Sequence, residues 1–292
     1  MFLADGWRDY EVLDCGGGEK LERWGSYILR RPDPQAIWPQ RAPEEWGKAQ
    51  AWYHRSERGG GSWEFFAELP ERWQVSYGDL RFFVRPTGFK YTGLFPEQAA
   101  NWDWMAGLIR RRAAAGRPVR VLNLFGYTGG ASVACAAAGA EVCHVDAAKG
   151  MVQWAKENRA LSGVPEERVR WIVDDALKFV AREARRGRAY EGVLMDPPSY
   201  GRGPGGEVWH LEDELYRLVS AAAGALSDDP LFFLINGYTT GFQASVLANL
   251  ADMTVVPRHG GVIRAEELCL PVRAGGVLPC GTSCRWQREG EP

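Results

Sequence analysis

Between residues 119 and 252 short apolar runs alternate with segments of helical periodicity, and no other feature restricts the fold as much. The apolar runs lie at 121–125, 141–146, 169–174, 192–196 and 231–235. Helical segments follow them, starting near Thr128 and then spanning 149–161, 176–186, 211–226 and 242–252. Short apolar runs bounded by turn chemistry read as strands buried on both faces. Such strands separated by amphipathic helices specify a parallel, doubly wound α/β sheet. Sheets of this kind bind ligands beyond the carboxyl ends of their strands, so the residues ending each run are the first candidates for chemistry.

The tail breaks the rhythm. Residues 267–273 and 281–286 read as two strands with no helix between them. A terminal strand entering beside its predecessor would run antiparallel, giving a mostly parallel sheet with an antiparallel last strand. That pattern points away from hydride transfer and towards methyl transfer. Ahead of the first run, Pro96 suits a helix start, and residues 97–115 carry Trp102, Met105, Leu108 and Ile109 at helical spacing. This helix is expected to pack on the sheet and to expose Arg110, Arg111 and Arg112.

The first strand leads into Asn123-Leu124-Phe125-Gly126-Tyr127-Thr128-Gly129-Gly130. Glycines allow positive φ and close approach of the backbone to a ligand, while free N–H groups at a helix start attract negative charge. The spacing of Gly126, Gly129 and Gly130 is not the G-x-G-x-x-G of dinucleotide binding, so the turn alone is compatible with an ordinary tight turn. Asp146 strengthens the case for a nucleoside site. It ends the second run about 20 residues on, where this class of fold holds ribose hydroxyls.

Two more runs end in acids. Asp174-Asp175 either caps the following helix or faces the pocket and accepts a hydrogen bond from an exocyclic amine. Asp196-Pro197-Pro198-Ser199-Tyr200 is either a structural turn or a rigid holder of acceptors, because successive prolines fix the backbone.

Residues 1–95 read as a small β-rich domain. Seven of the 13 tryptophans fall there, and residues 10–14, 26–30, 73–77 and 80–84 read as strands of hairpins near Gly16-Gly17-Gly18. Tryptophan in a small β-domain belongs to its core or stacks on unpaired bases. Thirteen basic and 14 acidic side chains leave this segment without a basic surface, and the net charge of the whole chain is −2. The electrostatic footprint usual for nucleic-acid binding is therefore absent at whole-chain level. The polar, glycine-rich stretch at 55–62 reads as a mobile loop.

No apolar run approaches the roughly 20 residues that span a bilayer, and the N-terminus lacks a basic-then-apolar signal, so no membrane partner and a cytoplasmic location are expected. Cys15, Cys135, Cys143, Cys269, Cys280 and Cys284 form no C-x-x-C pair, and His54, His144, His210 and His259 are dispersed. Reduced cysteines and no metal are expected.

Asn123 to Gly130, Val145-Asp146-Ala147, Trp154-Ala155-Lys156-Glu157-Asn158, Asp174-Asp175-Ala176 and Asp196-Pro197-Pro198-Ser199-Tyr200-Gly201-Arg202-Gly203 together resemble class I S-adenosylmethionine-dependent methyltransferases. The bacterial group acting on bases of large-subunit ribosomal RNA is the most similar, and the resemblance spans residues 93 to 286. It implies S-adenosyl-L-methionine as cofactor and ribosomal RNA as partner. Its methionine part would lie on Asn123, Phe125, Gly126, Tyr127, Thr128, Gly129 and Gly130. Asp146 with Ala147 would hold the ribose, and Asp174 or Asp175 with Ala176 the adenine. Asp196, Pro197 and Pro198 would border the transferred methyl, and Gly93-Leu94-Phe95-Pro96-Glu97-Gln98 resembles a lead-in in which Phe95 and Gln98 cover the cofactor.

One departure matters. Relatives that methylate carbon 5 of cytosine carry a cysteine nucleophile after the fifth strand, where this chain reads Leu234-Ile235-Asn236-Gly237-Tyr238-Thr239. The expected chemistry is direct displacement onto a nitrogen or oxygen, with Asp196 and the Pro197 carbonyl orienting the acceptor, Tyr200 stacking on it and residues 202–206 closing over it. A small-molecule or protein acceptor is the alternative, favoured by the acidic balance.

Overall fold

The computed structural model describes residues 1–56, 60–202, 208–239 and 241–289. The chain forms two compact units, Met1–Ala100 with Leu268–Cys280, and Asn101–Glu267 with Gly281–Pro292.

The first unit is β-rich. After β1 (Phe2–Leu3) come β2 (Tyr10–Gly16), β3 (Glu19–Trp24), β4 (Tyr27–Pro32), β5 (Ala51–Arg55) and β6 (Gly61–Phe65), and β2 to β6 form a five-stranded sheet in that order. A separate hairpin pairs β7 (Trp73–Tyr77) with β8 (Leu80–Val84). Trp24, Leu21, Leu29 and Phe82 are fully buried, and Leu13, Leu21, Trp46 and Ala49 pack as one cluster. Trp7, Trp38, Trp52 and Trp63 are only half-buried, so the tryptophans divide between core and surface.

Charge is buried here too. Glu22 accepts from both Arg31 Nε at 2.7 Å and Arg31 Nη2 at 2.8 Å, and from the Tyr10 hydroxyl at 2.5 Å. Burial would raise its pKa, but Arg31 and Lys20 outweigh that and hold the carboxyl at about 2. Asp14, also fully buried, accepts from the backbone N–H of Cys15, Arg41 and Ala42 and from the Trp46 indole. Buried carboxylates survive in a core only when their lone pairs are satisfied in this way.

The second unit has the α/β alternation. Its elements are α1 (Ala99–Ala114), β9 (Arg120–Leu124), α2 (Gly130–Ala137), β10 (Glu141–Asp146), α3 (Lys149–Leu161), β11 (Val169–Val173), α4 (Ala176–Arg185) and β12 (Gly192–Met195). A short hairpin of β13 (Tyr200–Arg202) and β14 (Val208–His210) precedes α5 (Leu211–Ala223), β15 (Phe232–Gly237), α6 (Ala244–Thr254), α7 (Val256–His259), β16 (Val262–Pro271) and β17 (Val277–Gln287), of which Leu268–Pro271 and Val277–Cys280 fall in the first unit. Within the second unit the sheet order is β16-β17-β15-β12-β9-β10-β11. Strands β9 to β12 and β15 run parallel, and β17 lies antiparallel to β15, with Ile235 opposite Cys284. Phe233, Ile235, Leu122, Val145, Val193 and Phe179 belong to its apolar core.

One expectation changes. Arg112 is not exposed with Arg110 and Arg111. It is 3% accessible, because its guanidinium donates to the Asp229 carbonyl at 2.7 Å and to the Asp229 carboxylate. Of the loop expected at 202–206 the described residues include Arg202 alone, at the end of β13, and 203–206, with 57–59 of the earlier glycine-rich stretch, lie outside the described residues. Among the described residues no helix is long and apolar enough to cross a membrane. All six cysteines are free, five of them buried.

Candidate active site

Register brings the strand ends to one edge. Leu124 of β9 pairs with Val145 of β10 on one side and with Met195 of β12 on the other, so Phe125, Asp146 and Asp196 follow at the same level. Asp146 pairs with Val173 of β11, which puts Asp174 one step beyond, and Met195 pairs with Ile235 of β15. Backbone bonds continue past the ladders, with Gly126 N–H donating to Val145 at 3.0 Å and Asp174 N–H to Asp146 at 3.1 Å.

The turn from β9 to α2 is strained in an unexpected place. Phe125 and Tyr127 have φ of 58° and 50°, the two non-glycine residues of the chain in the left-handed region among those described. Such conformations cost roughly 1–2 kcal/mol each and gather where the surrounding structure fixes them. Gly129 takes φ 84°, whereas Gly126 is needed for space, since a Cβ there would lie 2.3 Å from the His144 ring. The sequence argument that glycine supplies the positive φ thus holds at Gly129 and misses Phe125 and Tyr127.

Behind the turn runs a buried polar chain. Asn123 Nδ2 donates to Ser132 Oγ at 2.8 Å, and Ser132 Oγ meets His144 Nδ1 at 2.9 Å. Burial pushes the His144 pKa down to about 3, so the ring is neutral and acts as a rigid wall. From α3, Asn158 Nδ2 donates to the Thr128 carbonyl at 2.8 Å, and the Cβ of Ala155 abuts Gly129. This explains the Trp154 to Asn158 stretch in structural terms, because α3 latches the turn. Thr128 is buried, and Gly130 opens α2.

Asp146 is half-buried. Its Oδ2 accepts the Tyr127 N–H and its Oδ1 the Ala148 N–H, both at 2.8 Å. Burial raises its pKa, and the two amides pull it back. Among the described residues no cation pairs with it, so each carboxylate oxygen keeps acceptor capacity beyond its one backbone N–H. One strand over the arrangement differs. Asp175 caps α4 by accepting the Lys178 N–H at 2.8 Å, while Asp174 accepts the Asp175 N–H at 2.9 Å and pairs with Arg182. Between these acids Val173 is 51% exposed, an apolar surface at the end of β11, and Ala176 is buried in the first turn of α4.

Beyond β12, Asp196 is half-buried, Pro197 buried and Pro198 exposed. Trp209 Nε1 donates to the Pro198 carbonyl at 2.7 Å, and its ring lies 5.8 Å from Phe125. Trp209 therefore ties the proline turn to the glycine turn. Tyr200 is 51% exposed, edge-on to His210 at 5.4 Å. Ser199 Oγ meets Thr239 Oγ1 at 2.6 Å, linking the proline turn to the end of β15.

The second unit thus brings together Asn123, Phe125 to Gly130, Asp146, Ala147, Asp174 to Ala176 and Asp196 to Tyr200. Phe95 and Gln98 belong to the first unit, at the turn Pro96–Gln98, where Gln98 is buried. Trp209 and Val173 escaped the sequence reading. An aromatic a dozen residues past two prolines, and an apolar residue directly before Asp-Asp, were the only signals.

A family model described as S-adenosylmethionine-dependent methyltransferase matches residues 37–222. The crystal structure of an S-adenosylmethionine-dependent methyltransferase from Agrobacterium tumefaciens is 38% identical, with a TM-score of 0.91 over 98% of this chain and 92% of that one. Ribosomal RNA large subunit methyltransferase K of Neisseria meningitidis serogroup B is 26% identical over 242 residues, 80% of this chain and 65% of the relative. Ribosomal RNA large subunit methyltransferase K/L of Shewanella frigidimarina is 34% identical over 199 residues, 67% of this chain and 25% of the relative. The chain spans less than two thirds of the length of these curated relatives. A model covering more than half of the sequence, with a sheet of mostly parallel strands and an antiparallel β17, shows that the chain belongs to the S-adenosylmethionine-dependent methyltransferases.

Proposed function

We propose that this chain transfers a methyl group from S-adenosylmethionine to a base of large-subunit ribosomal RNA, by direct displacement and without a cysteine nucleophile. The observation that carries the reading is the aligned edge of strand ends, where Asp146 presents a carboxylate held by two backbone amides. The names of the curated relatives support ribosomal RNA as acceptor, and a reaction on ribosomal RNA puts the protein in the cytoplasm.

The residues present fit the cofactor. Asp146 has lone pairs left for a ribose diol, and the exposed Val173 beside it offers an apolar surface suited to an adenine plane. Asp174 and Ala176 would border the adenine edge, with Asp175 holding the start of α4. The Asn123 to Gly130 turn, braced by Ser132, His144 and Asn158, would hold the methionine part with its backbone amides. When bound, S-adenosylmethionine supplies an electrophilic methyl group on sulfur.

The chain's own contribution is alignment and exclusion of water. Asp196 and the Pro197 carbonyl orient the acceptor, and Tyr200 stacks on it. Trp209 keeps the proline turn rigid by taking the Pro198 carbonyl. Direct attack is supported by the thiols, because burial pushes Cys284, the cysteine opposite Ile235, up to about 12. It is a thiol, not a nucleophilic thiolate, at neutral pH. A base buried in a helix would have to be unpaired or flipped to reach this edge. Residues 1–95 would recognise the substrate and residues 96–292 carry out the transfer.

The net charge of −2 favours a second reading, a small-molecule or protein acceptor. Mass spectrometry of ribosomal RNA nucleosides from a deletion strain separates them. Loss of one methylated nucleoside, restored by the wild-type gene, is expected, and an unchanged nucleoside profile would overturn the RNA reading.

A further inference from the structure

A cluster of aromatic side chains at the edge of the first unit's sheet has no part in the chemistry above. Strand β6 ends the five-stranded sheet. Its pairing sets Phe65 opposite Ala51, Trp63 opposite Tyr53 and Gly61 opposite Arg55. Alternation along strands therefore places Phe65, Trp63 and Arg55 on one face, which is buried at Ala51 and Tyr53 and opens to solvent at Phe65 and Arg55. The Trp63 and Phe65 rings stack at 6.4 Å with 29° between their planes, and Phe65 is 54% exposed. Trp63 Nε1 donates to the Thr87 carbonyl at 2.8 Å, which fixes beside the strand a loop carrying Phe89 and Tyr91, 65% and 41% exposed. Clusters of large exposed aromatics in a folded unit mark a binding surface.

The charges indicate what binds. Arg55 and Lys90 make no ion pair among the described residues, and Lys90 Nζ lies 5.6 Å from the Tyr91 ring centre. Burial, then the positive charges of Lys20, Arg31 and Arg55, hold the Lys90 ammonium below the usual lysine range against the pull of Asp33. A face meant for another protein's apolar surface would be depleted of lysine. Flat rings beside cations that make no ion pair among the described residues instead suit single-stranded nucleic acid, whose bases stack while its phosphates take the charges.

We propose that this face is a stacking platform for unpaired nucleotides of the RNA substrate, with Trp63, Phe65 and Phe89 taking bases and Arg55 and Lys90 taking phosphates. It rests on the RNA reading above and extends it to the first unit.

The test uses the full chain with a fluorescein-labelled 12-nucleotide oligouridine and a duplex RNA of equal length, followed by anisotropy. Wild type is expected to prefer the single strand. The double variant Phe65→Ala, Phe89→Ala should bind the single strand about 10-fold more weakly or worse, and Arg55→Gln with Lys90→Gln should lower the salt slope by about 1.4. The affinity of each variant for S-adenosylmethionine, read in parallel, serves as the folding control. Equal binding by wild type and both variants would overturn the platform and leave the RNA reading intact. Absence of RNA binding by wild type would overturn both. Preference for duplex would also overturn the platform.

Discussion

Two acidic strand ends of the second unit lie side by side yet use their carboxylates differently. At the end of β11, Asp175 is committed to capping α4, and Asp174 to Arg182 and the next amide. At the end of β10, Asp146 takes one backbone N–H on each oxygen and, among the described residues, pairs with no cation. The acids at one end maintain the architecture, whereas the acid at the other is held in place with capacity to spare. Position at a strand end identifies candidates, and the existing partners decide between structure and binding.

Several substitutions sharpen that contrast. Gly126→Ala drives a Cβ into the buried His144 ring behind the β10 end, and overpacking of that kind is expected to cost about 3 kcal/mol in urea unfolding. Loss below 1 kcal/mol would mean that the wall behind the turn gives way.

His144 has a folded pKa lowered to about 3, so it binds a proton in the unfolded chain well before it does in the folded one. Its contribution to stability is complete above about 6.5 and is lost as pH falls towards 3. It should amount to about 2 kcal/mol between pH 6.5 and pH 5. Urea midpoints of wild type and His144→Gln across that range should converge, and parallel curves would remove the buried, neutral histidine from the account of the turn.

The smallest effect belongs to the other end. Asp175→Ala should lose the α4 cap and about 1 kcal/mol of stability, with S-adenosylmethionine affinity unchanged. A large fall in affinity with stability intact would erase the distinction between the two ends.

The second unit was legible because its strands are apolar on both faces and its helices keep their period, so β10 and α3 fall where the pattern places them. The first unit was less so. The Glu-Lys-Leu-Glu-Arg-Trp run of β3 is missing from the strands read in sequence, because its charges hide the strand pattern, and the partnership of Glu22 with Arg31 and Tyr10, nine and 12 positions away, lets it lie inside. The same holds for Arg112, which is buried by Asp229, 117 positions away. In the site, motif residues were readable from spacing. The latch of Asn158 on Thr128 and the clamp of Trp209 on Pro198 depend on tertiary approach, which local pattern does not encode. Nor does composition announce that Phe125 and Tyr127 carry the strained backbone.

Calorimetric titration of S-adenosylmethionine into wild type and Asp146→Ala tests the central claim most directly. Wild type should bind, and the variant should bind about 100-fold more weakly, the loss expected for charge-assisted hydrogen bonds to a ribose, with its unfolding midpoint nearly unchanged. Equal affinity in the two proteins, or no heat from wild type, would contradict the assignment of the cofactor to these strand ends.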